Sequence, residues 1–285
     1  MKFRCERDTL TEAIATAAKT VATRTGALPV LQDLRVEATE AGLEFTGTDL
    51  EITNRVVVPA EVEEPGVALM PKLLGEIVRR LAPGPVTVTV TGDEAVVGAG
   101  RFSTSLRLKP ADEYPRLVAP AGEGVRIDAA VFASALKQVV RAASRDDLRQ
   151  TLTGVLLTAH GTGLRMVATD SYRLAVRDLP GVGLLNDGQK VLVSAKGLNE
   201  VQRVFGQGTI TVTLGEREVA FASEDRSVHQ WKVFCLDKKT GKTLWSSLAY
   251  EGAPREKRHV KSTYASATPA TQRQRVMNIG AASSA

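Results

Sequence analysis

The chain is 285 residues long, 43% hydrophobic and 24% charged, and its 37 basic and 32 acidic residues give a formal net charge of +5. That length suits two ordinary domains with a core each. No apolar run approaches the roughly 18 residues of a membrane span, and MKFRCERDTL lacks a signal-peptide core, so a soluble cytoplasmic protein without a membrane partner is expected.

Residues 2–5 read as a short strand, followed by an Asp cap and a helix whose Leu10, Ile14, Ala17 and Val21 share one face. FTGTDLEITNRVVVP (residues 45–59) is an apolar run, a Thr-Asp turn and a second apolar run. PKLLGEIVRRLAPG (71–84) reads as a helix ending at glycine, and VTVTVTGDEAVVGAG (86–100) as a strand pair turning at Gly-Asp. The same order then returns. Residues 125–127 form a strand, an Asp caps a helix with Phe132, Leu136, Val139 and Ala143 on one face, and MVATDSYRLAVRDLP (166–180) repeats the Thr-Asp turn. SAKGLNEVQRVFGQG (194–208) and TITVTLGEREVAFAS (209–223) repeat the helix and the strand pair. Asp49 and Asp170 stand 121 positions apart. A repeat of roughly 110 to 120 residues is too long for a solenoid and reads as two tandem domains, 1–120 and 121–226, joined near PAGEGV (120–125).

At the second turn, Tyr172 and Arg173 place an amphipathic ring and a five-donor fork at a hairpin tip. Such residues are enriched at docking surfaces and also occur as plain solvated side chains. The helices carry cations off their apolar stripes: Lys19 and then Arg24, Arg79 and Arg80, Lys137 and Arg141, Lys196 and Arg203. Solvated helix faces and phosphate-facing surfaces share that pattern.

Signs of catalysis are missing. There is no G-x-x-x-x-G-K-[ST], H-E-x-x-H, G-x-S-x-G or C-x-x-C. Gly98-Ala99-Gly100 and Gly181-Val182-Gly183 precede no phosphate-binding helix, and the pairs Glu63-Glu64 and Asp146-Asp147 lie in polar stretches. Cys5 and Cys235 sit in unrelated segments, and His160, His229 and His259 are scattered without ligand spacing. A non-enzyme with no catalytic residue, no cofactor and no metal is expected.

Beyond Arg226 the composition shifts. Residues 1–120 hold 14 bases against 17 acids, residues 121–226 hold 13 against 12, and residues 227–285 hold 10 against 3. Both tryptophans, Trp231 and Trp245, lie in that last stretch, where VFCLDKKTGKTLW (233–245) reads as strand, turn and strand.

MKFRCERDTL, ALPVLQDLRVEA, FTGTDLEI, KPADEYPRL (109–117), LTGVLLTA and VATDSYRLAV, in that order, resemble the bacterial DNA polymerase III β sliding clamp family over about residues 1–226. The resemblance implies an α+β fold of two tandem DNA-clamp domains, where the family has three. It implies a processivity factor that forms a head-to-tail ring with itself, encircles double-stranded DNA of any sequence, and tethers DNA polymerase III subunits, the clamp loader and repair polymerases through a linear peptide. Arg24, Arg79, Lys196 and Arg203 fall where the family has basic DNA-facing residues, and Lys137 and Arg141 complete the expected DNA-binding set. Leu152, Thr169, Ser171, Tyr172, Arg173 and Leu174 match the second-domain wall of the partner-peptide pocket, with Leu152 and Leu174 seating a hydrophobic anchor. Ser171 stands where the family commonly has Gly. The opposite wall and one face of the ring contact belong to the third domain, which has no counterpart in this sequence; the alternative is therefore a clamp fragment that is non-functional or binds peptides alone. Residues 233–245 resemble one blade motif of a quinoprotein-like (PQQ-type) β-propeller, and residues 261–271 the start of the next. Residues 227–285 are thus expected to be a fused blade fragment, which alone cannot bury both of its faces, and a disordered tail.

Overall fold

The structure is a computed structural model that describes residues 1–22, 28–115, 117, 120, 122–215, 218–231, 233–237, 243–247, 271–272 and 275–276. The chain divides into two compact units, Met1–Val118 with Glu224–Ser227, and Ala119–Ser223 with the residues from Val228 onward.

In the first unit β1 (Lys2–Glu6) runs directly into α1 (Arg7–Ala17). β2 (Asp33–Thr39), β3 (Gly42–Thr48) and β4 (Ile52–Val58) follow as a meander, then β5 (Glu61–Glu64), β6 (Gly66–Pro71) and α2 (Leu73–Arg80). β7 (Pro85–Thr91), β8 (Glu94–Ala99) and β9 (Phe102–Arg107) complete the unit. Pairing builds one sheet in the order β5-β1-β7-β8-β9 and another in the order β4-β3-β2-β6. Period-two alternation turns Leu34, Val36 and Phe45 to one side, where they join Phe3, Leu10, Ile14, Leu74, Val78 and Val86 in a single core. Gly47 allows β3 to pass tightly under α1, since a Cβ there would collide with the Ala17 carbonyl oxygen.

The second unit repeats this order without the short β5. Its elements are β10 (Gly124–Asp128), α3 (Ala129–Val139), β11 (Gly154–His160), β12 (Gly163–Thr169), β13 (Leu174–Leu179), β14 (Lys190–Ser194), α4 (Ala195–Val204), β15 (Thr209–Leu214), β16 (Glu218–Ala222) and β17 (Arg226–Trp231), whose first two residues belong to the first unit. One sheet runs β13-β12-β11-β14, while β10, β15, β16 and β17 pair in that order in another. The register repeats as well: Arg35 opposes Thr46, and Leu156 opposes Val167, each residue 121 positions further on. Phe132 of α3 meets Phe221 of β16 with ring centroids 5.8 Å apart in the second core.

Three local expectations need correction. The Asp cap exists in the second copy alone, where Asp128 Oδ1 accepts the Val131 N–H at 2.8 Å. In the first copy Glu6 holds the cap position without a side-chain hydrogen bond, and Asp8, one residue inside the helix, pairs with Arg7 at 2.6 Å. Gly84 and Gly208 do not end helices. At φ +126° and +79° they shape the turns into β7 and β15, and their carbonyls accept the first N–H of the neighbouring helix, Arg7 N at 3.0 Å and Ala129 N at 2.9 Å. Val21 and Ala143 lie beyond their helices, where 3₁₀ turns (Ala18–Thr20; Val140–Ala142) keep both side chains buried.

Among the described residues, β9 and β13 each end a sheet. Most of the stretch assigned to a propeller blade lies outside the described residues; within it β18 (Val233–Asp237) pairs antiparallel with β19 (Thr243–Ser247). Cys5 is a buried free thiol. No helix among the described residues is long and apolar enough to cross a membrane.

Candidate partner-binding turn and basic helices

The turn between β12 and β13 closes on its own polar side chains. Asp170 Oδ1 accepts the N–H groups of Tyr172 and Arg173, both at 3.0 Å, and Oδ2 accepts Arg173 Nε at 3.0 Å. Donation from the Tyr172 N–H, and next from Arg173, holds the Asp170 carboxyl below the usual carboxylate range. Thr169 Oγ1 donates to Arg173 O at 2.7 Å and accepts the Ser171 N–H at 3.1 Å. With its polar groups satisfied internally, the tip leaves Tyr172 92% and Leu174 66% exposed. Ser171 adopts φ +79°, a left-handed conformation that favours glycine.

The first unit builds the same turn. Asp49 Oδ1 accepts the N–H groups of Glu51 at 3.0 Å and Ile52 at 2.9 Å, Thr48 Oγ1 donates to Ile52 O at 3.1 Å and accepts the Leu50 N–H at 3.1 Å, and Leu50 has φ +74°. There, however, Leu50 packs against a cluster of Val30, Leu31, Leu69 and Tyr114. One device thus lies against packed chain in the first unit and faces outward in the second.

Leu152, half-buried, ends a 3₁₀ segment (Asp147–Leu152). Asp146 caps this segment by accepting the Leu148 N–H at 3.1 Å, and its other oxygen takes Arg149 Nε at 3.0 Å. Arg149 Nη1 also donates to Ser171 Oγ at 3.3 Å, tying the segment to the turn. Sequence reasoning missed Arg149 and the 88% exposed Leu148. The available signal was a lone Leu after Asp146-Asp147, in a stretch read as an acid pair.

Arg24 lies outside the described residues. Arg79 is exposed in the last turn of α2 with Arg80, where cations complement the helix dipole. Lys137 on α3, Arg141 just beyond it, and Lys196 and Arg203 on α4 are all exposed, and α3 packs beside α4. The carboxylate on this helix pair is Glu200, which is buried and held to Arg203 Nη1 at 2.6 Å. Arg203 is therefore partly neutralised. Among the described residues no cluster of His, Cys, Asp and Glu is arranged to hold a metal.

A family model of the DNA polymerase III beta subunit N-terminal domain matches residues 1–118, and one of its central domain matches residues 126–231. A beta sliding clamp of Micrococcus luteus is 35% identical over 239 residues, covering 79% of this chain and 74% of its own. The chain belongs to the β sliding clamp family. The clamp of Streptomyces coelicolor is 39% identical over 210 residues, 73% of this chain and 56% of that relative, so the chain spans little more than half of the latter's length. The solved DNA polymerase III subunit beta of Pseudomonas aeruginosa aligns with a TM-score of 0.76 at 26% identity, covering 84% of this chain and 71% of its own. The Bacillus subtilis sliding clamp shares the fold, with a TM-score of 0.76 at 24% identity over the same shares of each chain.

Proposed function

We propose that the chain is a non-catalytic processivity clamp subunit that holds DNA polymerase III on duplex DNA in the cytoplasm. The observation that carries this reading is a clamp fold whose second-unit Thr-Asp turn faces outward. Arg24, Arg79, Lys137, Arg141, Lys196 and Arg203 contact phosphates, giving binding that is independent of sequence and weakens with salt. Leu152 and Leu174 seat the hydrophobic anchor of a partner peptide from polymerase, clamp-loader or repair proteins, framed by Thr169, Ser171, Tyr172 and Arg173. The working division is 1–120 and 121–226 as clamp domains that join other copies head to tail, with 227–285 as a propeller-like appendage. The test is primer extension by a bacterial replicative polymerase with and without the chain. Longer products per binding event are expected, and unchanged lengths contradict the reading.

The exposed Tyr172 and Leu174 of the turn suit a second reading equally, a chain that binds partner peptides without holding DNA. It predicts peptide binding together with unchanged extension lengths.

A further inference from the structure

In each unit the four paired strands that carry the Thr-Asp turn bury one face against the unit's helices. On the opposite face, directly paired residues form a row across four strands. In the first unit the row is Leu69, Arg35, Thr46 and Arg55. In the second it is Leu192, Leu156, Val167 and Val176.

The first row is covered by the unit's own Lys109, Tyr114 and Leu117, from the stretch KPADEYPRL. Lys109 bridges to Leu69 on the sheet edge and reaches Asp33 at 2.7 Å. The buried Tyr114 ring lies against Val30, Leu31 and Leu69, and its hydroxyl donates to Thr46 O at 3.3 Å. Arg55 Nη2 donates to Leu117 O at 3.5 Å. Leu69 and Thr46 are consequently 0% and 2% exposed. The second row is the more apolar of the two, four aliphatic side chains, yet Leu192, Leu156 and Val167 are partly exposed and Val176 is 50% exposed. The residues in the corresponding chain position, after β17, enter β18 and pair with β19. Among the described residues β14, which carries Leu192, is an edge strand like β6.

We propose that this face of the second unit docks an extended segment of another protein with the sequence aromatic-Pro-x-aliphatic, the chemistry that Tyr114, Pro115 and Leu117 supply in the first. The row is about 15 Å across at a strand spacing of about 4.8 Å, the reach of about five extended residues. The aromatic ring lies over Val167 and Leu192, and the aliphatic residue reaches Val176. This site goes beyond the partner turn and does not depend on the clamp reading.

The experiment is fluorescence anisotropy of a labelled KPADEYPRL peptide titrated with the full chain. Saturable binding is expected, weakened at least tenfold by Val167→Lys and by alanine in place of the peptide tyrosine, and little changed by Arg173→Ala in the turn. Val176→Lys, at a half-exposed position on the edge strand β13, gives the same loss with an unchanged melting temperature. No saturable binding overturns the proposal, as does binding that both lysine variants retain or that Arg173→Ala abolishes.

Discussion

Tyr114 tests whether the covering segment of the first unit is held by its ring or by its hydroxyl. The ring is 6% exposed among Val30, Leu31 and Leu69, and the hydroxyl makes one hydrogen bond of 3.3 Å, to Thr46 O. Tyr114→Phe removes that bond and fills the same volume, a loss of about 1 kcal/mol. Tyr114→Ala removes the ring and leaves a cavity beside Leu69, a loss of about 3 to 4 kcal/mol. With a urea slope of about 2 kcal/mol per M for a unit of this size, the first transition should fall by about 0.5 M for Phe and about 1.5 to 2 M for Ala. Equal shifts for the two variants would refute the packing argument, and no shift for either would mean that residues 109–117 are not docked.

Burial, opposed by the Arg35 guanidinium and aided by Asp33, pushes the Tyr114 phenol above its ordinary pKa of 10.0. The unfolded chain therefore loses this proton first, so stability is fully present below about pH 10 and declines as pH rises past it; Tyr114→Phe should flatten the decline in alkaline urea titrations. Ser171→Gly relieves the left-handed backbone at φ +79° and should stabilise the second unit by up to about 1 kcal/mol, raising its melting temperature by a few degrees; a lower melting temperature contradicts the strain argument. Lys137→Glu with Arg141→Glu should weaken binding equally to unrelated duplexes and lower the slope of log K against log salt by about 2. A sequence-dependent loss would contradict phosphate contact.

The duplication was legible because the Thr-Asp turn is written in side chains. Thr48-Asp49 and Thr169-Asp170 make their hydrogen bonds to the next few backbone groups, so the local sequence determines the geometry. The helix starts were less legible, because the first N–H of α1 and of α3 is satisfied by Gly84 and Gly208, 77 and 79 residues downstream. Arg149 was missed for the same reason: its contact with Ser171 spans 22 residues. Whether a turn is packed or open is likewise a tertiary property. Leu50 and Ser171 share a backbone conformation and differ in what lies over them.

The most direct test of the clamp account is retention of the full chain on nicked circular DNA through gel filtration, before and after one cut linearises the circle. The account predicts that the chain travels with the circle and is released by linearisation, because an encircling ring slides off free ends. Retention that survives linearisation, or none on either form, would contradict it.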